Sequence, residues 1–114
     1  MNFPEFTKGF PLLDIPFPSE VVEAFAVRSD AGLVVFFDFH HDLSLPPHSH
    51  EGQWGACFEG EVKLTIEGVT HTYRPGETWN IPAGAVHSAE IKAGTKAMDV
   101  FEEADRYPLQ IKKN

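Results

Sequence analysis

The sequence predicts an all-β protein of one domain, and three observations carry that prediction. Nine prolines and nine glycines punctuate the 114 residues at short intervals, too often for long elements to form between them. The runs they separate are rich in Val, Ile, Phe, Thr, Trp and Tyr, the residues that fit a pleated surface. No run of ten or more residues carries a convincing helical period. Many short strands expose many edges unless the sheet closes or stacks, so the expected architecture is a sandwich or barrel.

Taken in order, strands are expected over 21–28, 33–39, 46–50, 53–59, 61–67, 70–74, 78–81, 87–91 and 96–101. Turns are expected where Asp30-Ala31-Gly32, Glu51-Gly52, Glu59-Gly60, Glu67-Gly68, Pro75-Gly76, Ala83-Gly84 and Ala93-Gly94 supply glycine, because glycine reaches positive φ without a steric penalty. The first twenty residues hold Pro4, Pro11, Pro16 and Pro18 and so cannot form a central strand, since proline donates no ladder hydrogen bond. They are expected to pack as an arm, on this subunit or on a partner. The resulting division is an arm over 1–20, a barrel over 21–105 and a tail over 106–114.

Composition narrows the function. With 42% hydrophobic and 23% charged residues, the chain reads as a globular protein. Its formal charge of −8 repels phosphate backbones and anionic lipid, so neither nucleic acid nor a membrane surface is an expected partner. The single cysteine, Cys57, forms no intramolecular disulfide, and Pro4, Glu5 and Pro11 interrupt the segment where a secretory signal would need an apolar run. A reducing cytoplasm is the expected setting.

All six histidines, His40, His41, His48, His50, His71 and His87, lie in the middle of the chain. On a strand, His48 and His50 would project from one face about 7 Å apart and could converge on one ion. His40 and His41 precede Pro46-Pro47 and read as loop, while His71 reads as a strand position facing solvent or a partner. The second block is Gly76-Glu-Thr-Trp-Asn-Ile81-Pro82-Ala83-Gly84-Ala-Val-His87. Its Gly, Pro-x-Gly and His spacing is expected by chance roughly 0.003 times at such frequencies, which makes it a specific signal.

The two blocks, PHSHEGQWGACFEG and GETWNIPAGAVH, closely resemble the two conserved motifs of the cupin superfamily, over about residues 46 to 101. That resemblance implies a double-stranded β-helix, the jelly-roll barrel, with a divalent metal at His48, His50 and His87. Where the cupin pattern usually places a glutamate ligand, this chain has Gln53, whose neutral carbonyl oxygen would leave the site one negative charge poorer. Glu51 is the rival fourth ligand. Gln53 is favoured because Glu51-Gly52 reads as a hairpin turn and the strand beginning at Gln53 would direct that side chain inward. Zn, Ni, Mn, Fe and Cu all suit three imidazoles and one oxygen. Cupins are commonly dimers, so the resemblance implies a homodimer to which the aromatic arm could contribute.

With Gln53 inward, alternation turns Gly55 and Cys57 inward as well and places Trp54, Ala56 and Phe58 on the opposite face. Cys57 then lies near the pocket, as a small buried group or a substrate contact. On the last strand Ala97, Asp99 and Phe101 share a face, which makes Asp99 an acid or base in the pocket or, on the opposite assignment, an exposed strand charge. Trp54 and Trp79 read as packing aromatics. HSHEGQWG with its glutamine, followed by Asp99-Val100-Phe101 and Arg106, resembles the small cupins of pectin and alginate degradation, which linearise unsaturated uronates. That likeness implies that Asp99 moves protons, Phe101 walls the pocket and Arg106 binds a sugar carboxylate. The expected function is metal-dependent isomerisation or cyclisation of a small oxygen-rich metabolite. A metal-dependent dioxygenase, a non-catalytic binding or sensing module and a metal-fastened structural oligomer are the alternatives.

Overall fold

The computed structural model describes residues 1–110, so the end of the expected tail, 111–114, lies outside the described residues. Among the described residues there are nine strands: β1 (Val22–Ser29), β2 (Gly32–Phe39), β3 (Leu43–His48), β4 (Gln53–Glu59), β5 (Val62–Ile66), β6 (Val69–Tyr73), β7 (Thr78–Ile81), β8 (His87–Ile91) and β9 (Lys96–Phe101). They form two antiparallel sheets, one ordered β1-β2-β9-β4-β7 and the other β3-β8-β5-β6. Consecutive strands therefore often belong to opposite sheets, the wrapping of a jelly roll. No helix of the described residues is long and apolar enough to cross a membrane.

Alternation sets the core. Along β2, Leu33, Val35, Phe37 and Phe39 are buried and the residues between them are half-buried; along β9, Ala97, Asp99 and Phe101 are buried. On β4, Gly55 and Cys57 face in while Trp54 and Phe58 remain exposed. These inward faces meet Val62, Leu64, Ala89 and Ile91 of the second sheet in one apolar cluster. The β5–β6 hairpin closes through Glu67 (φ 48°) and Gly68 (φ 79°), two positive φ values of the kind a type I′ turn requires.

Two local expectations are corrected. The third strand runs from Leu43 to His48 instead of 46–50, with Pro46 and Pro47 inside it. They are tolerated because β3 is an edge strand paired only with β8, and its register shifts between Leu45 and His48. His50 consequently lies beyond the strand. Glu51-Gly52 is not a hairpin turn, because β3 and β4 belong to different sheets; residues 49–52 cross from one sheet to the other.

The N-terminal arm packs on its own subunit. A short 3-10 helix spans Glu5–Gly9, and the chain then pairs with β1 through Leu13 N–H to Ala24 O (3.0 Å) and Ala26 N–H to Pro11 O (2.8 Å). Phe3 and Phe10 rest on Phe36, at ring separations of 5.9 and 6.4 Å, covering part of the outer face of the five-stranded sheet. Residues near the C-terminus return to the arm, where Asp14 N–H donates to Pro108 O (2.8 Å) and Gln110 N–H to Leu12 O (2.8 Å).

Candidate metal centre

The register brings the histidines together. His48 at the end of β3 pairs with His87 at the start of β8, and His87 is opposed by Ile66 of β5. The crossing loop carries His50 to the same place, so the three rings are separated by 4.2 to 5.3 Å between centroids. One ring nitrogen from each lies within 4.8 Å of the others. Nitrogens bound at metal–ligand distances near 2.1 Å to a tetrahedral ion stand roughly 3.4 Å apart, a spacing that side-chain rotation reaches from here.

The second nitrogen of each ring is already engaged. Nδ1 of His48 bonds Pro46 O (2.9 Å), Nδ1 of His50 bonds Glu51 O (2.7 Å) and Nδ1 of His87 bonds Ala85 O (2.9 Å). A carbonyl accepts only, so each Nδ1 carries a proton, the tautomer in which Nε2 is the nitrogen left to bind a metal. Nε2 of His87 is buried with no hydrogen-bond partner among the described residues. Burial lowers the proton affinity of His50 and His87 against the pull of their bonds to the Glu51 and Ala85 carbonyls, and His48 and Arg106 lower it further. Three converging imidazoles, each with Nδ1 already engaged, fit a divalent cation. The loop that presents His50 is itself tied down: Glu51 N–H donates to Glu103 Oε1 (2.7 Å), Gly52 N–H to Glu102 Oε1 (2.9 Å) and Glu102 N–H to Gly52 O (2.9 Å).

Gln53 opens β4 beside this cluster, opposite Phe101 on one side and Ile81 on the other. Its Nε2 donates to Asp99 Oδ1 (2.8 Å), which directs its Oε1 elsewhere. Glu51, the rival, is exposed. Asp99 is buried, so the exposed-charge alternative does not hold, and its Oδ1 also accepts the Trp79 indole N–H at 2.8 Å. Burial pushes its carboxyl up to about 7 against the pull of those two hydrogen bonds. Gly55 makes this arrangement possible: it sits opposite both Asp99 and Trp79, and a Cβ there would meet Asp99 Oδ1 at 2.2 Å and Trp79 Nε1 at 2.3 Å.

Beneath the histidines is a cavity of about 80 Å³. His48, His50, Gln53, His87, Asp99 and Phe101 all line it, and Phe101 stands 5.8 Å from the His50 ring. Cys57 is not in the lining: its thiol is buried, its Sγ faces Glu59 O at 3.4 Å, and burial raises its proton affinity. Arg106 is not in the lining either. Its guanidinium lies 4.6 Å from the Tyr107 ring centre, and its Nε is buried without a hydrogen-bond partner among the described residues. His40 turns away to Glu23 (2.7 Å), and His71 is exposed.

Two residues enter the site that sequence reasoning treated otherwise or passed over. Trp79, read as packing, also orients Asp99. Tyr107 lines the cavity against Phe101 at 5.5 Å, with burial pushing its hydroxyl up; neither periodicity nor motif spacing marks it, because it follows the last strand in a loop.

The model of the cupin domain family matches residues 35–102, whereas a search of curated protein sequences finds no match. Among solved structures, an RmlC-like cupin from Shewanella frigidimarina is 19% identical at a TM-score of 0.75, over 93% of this chain and 95% of that one. KdgF from Halomonas sp. is 19% identical at 0.69, over 90% of each chain. Oxalate decarboxylase from Bacillus subtilis is 21% identical at 0.64, over 75% of this chain and 26% of that chain. At these identities the likeness is one of fold.

Proposed function

This chain belongs to the cupin family, and on that premise we propose that it is a metal-dependent enzyme that moves a proton on a small carbonyl compound bound inside the barrel. The observation that carries the reading is the set of three convergent histidines whose Nδ1 atoms are engaged by backbone carbonyls, with Nε2 of each the nitrogen left to bind a metal. His48, His50 and His87 would hold one divalent ion, with Gln53 Oε1 as the fourth, neutral donor. When bound, such an ion polarises a carbonyl oxygen and raises the acidity of the adjacent carbon.

Asp99 acts on that carbon. A carboxyl held near 7 populates both its protonated and ionised forms at neutral pH, which suits a group that removes a proton from one carbon and returns it to another. Gln53 and Trp79 keep the Asp99 carboxylate turned into the cavity, Phe101 and Tyr107 flank the substrate, and Arg106 offers its cation to a substrate carboxylate near the mouth. Cys57 is buried outside the lining and takes no part. A homodimer belongs to the same reading, since Trp54 and Phe58 remain 43% and 36% exposed on the outer face of the five-stranded sheet.

The test is solvent exchange of the proton α to the carbonyl in 2-oxo acids and uronates, followed by NMR in D₂O. Metal-loaded protein is expected to accelerate exchange, with the acceleration lost on chelation and in Asp99→Asn. Oxygen consumption by the iron-loaded protein without proton exchange would overturn the proton-transfer reading in favour of a dioxygenase.

A further inference from the structure

The cavity is divided along its length. The first row, at the mouth, pairs His48 with His87 and holds the polar groups. One register step inward, Leu45 faces Ala89, which faces Leu64. A further step in, Leu43 faces Ile91, which faces Val62. On the opposite sheet Asp99 is the last inward-facing polar side chain of β9 in this direction, followed by Ala97, which pairs with Phe37. Phe37 and Phe39 stack at 5.5 Å and close the floor.

From this division we propose that the ligand has an oxygen-bearing head and an apolar body: a small 2-oxo acid or related carbonyl acid with an alkyl or aryl chain, not a polyhydroxylated sugar acid. The inference rests on the metal-dependent reading for the head alone. The head meets the histidines and Asp99. The body enters the rows of Leu, Ile, Val and Phe, where it leaves water for apolar contact. A uronate carries a hydroxyl on nearly every ring carbon. Below Asp99 those hydroxyls would find no donor or acceptor among the side chains of these rows, and buried polar groups without partners are disfavoured. The apolar lining thus separates this cavity from the substrate class that the uronate resemblance implies.

The experiment is calorimetric titration of zinc-loaded and chelator-treated protein with pyruvate, 2-oxohexanoate, phenylpyruvate and galacturonate. On the zinc-loaded protein, affinity is expected to rise about 50-fold from pyruvate to 2-oxohexanoate, which adds three methylenes, with galacturonate weakest. Ala89→Leu, verified to retain zinc, is expected to flatten that series by occupying the second row. A flat series on wild-type protein, tighter binding of galacturonate than of 2-oxohexanoate, or no binding of any probe would overturn the inference. Affinities that rise with chain length but are the same on the zinc-loaded and chelator-treated protein would uphold the apolar body while overturning the metal reading.

Discussion

Gln53 donates its side-chain amide to the same oxygen of Asp99 that receives the Trp79 indole, each at 2.8 Å. The carboxyl is nonetheless pushed up to about 7, because desolvation outweighs both bonds. The consequence is a stability that depends on pH with a definite sign. Between the ordinary aspartate value and about 7 the folded chain holds a proton that the unfolded chain has released, so stability falls as pH rises through that window.

Asp99→Asn removes this dependence while keeping an acceptor for Trp79. In chelator-treated protein, the stability of the variant relative to wild type is expected to increase by on the order of 2 kcal/mol between pH 5 and pH 7. The depressed proton affinities of His50 and His87 act with the opposite sign in both proteins and cancel in the difference. Denaturant unfolding at a series of pH values makes the measurement, and parallel curves for the two proteins would contradict it.

Gly55→Ala places a Cβ at 2.2 Å from Asp99 Oδ1 and 2.3 Å from Trp79 Nε1. One of the two must move, so the variant is expected to lose about 1–3 kcal/mol of stability, the usual range for overpacking, and to change its near-ultraviolet tryptophan signal. An unchanged signal and midpoint would show that the Trp79–Asp99 contact is not the constraint on this glycine.

The loop presenting His50 hangs from two carboxylates, Glu102 and Glu103, which accept its Gly52 and Glu51 amides. The Glu102→Ala/Glu103→Ala double variant is expected to bind metal about tenfold more weakly, as loss of outer-sphere support commonly does. The corresponding double glutamine variant, which keeps the acceptor oxygens, is expected to recover most of that loss. Competition with a chromogenic chelator reads both.

Where a residue's environment is fixed by alternation, the sequence was legible. The inward set of β4 followed from period two, which also grouped Ala97, Asp99 and Phe101 on one face of β9 without deciding whether that face is buried, and the grouping of the three histidines followed from the family resemblance. What escaped depended on contacts across sheets. The third strand, expected over 46–50, begins instead at Leu43 because pairing with β8 sets its bounds, and Glu51-Gly52 resembled a hairpin although its flanking strands belong to different sheets. Trp79 looked like ordinary packing because its hydrogen bond to Asp99 crosses from β7 to β9 over Gly55. The arm's docking and the place of Tyr107 depend on pairings between the two ends of the chain, which local patterning does not encode.

The central claim is that His48, His50 and His87 hold one metal ion. Elemental mass spectrometry of the purified protein, beside a His48→Ala/His87→Ala variant prepared identically, tests it most directly. The account predicts about one divalent ion per chain in the wild type, after reconstitution if necessary, and almost none in the variant. No stoichiometric metal in the reconstituted wild type, or equal metal in both proteins, would contradict it.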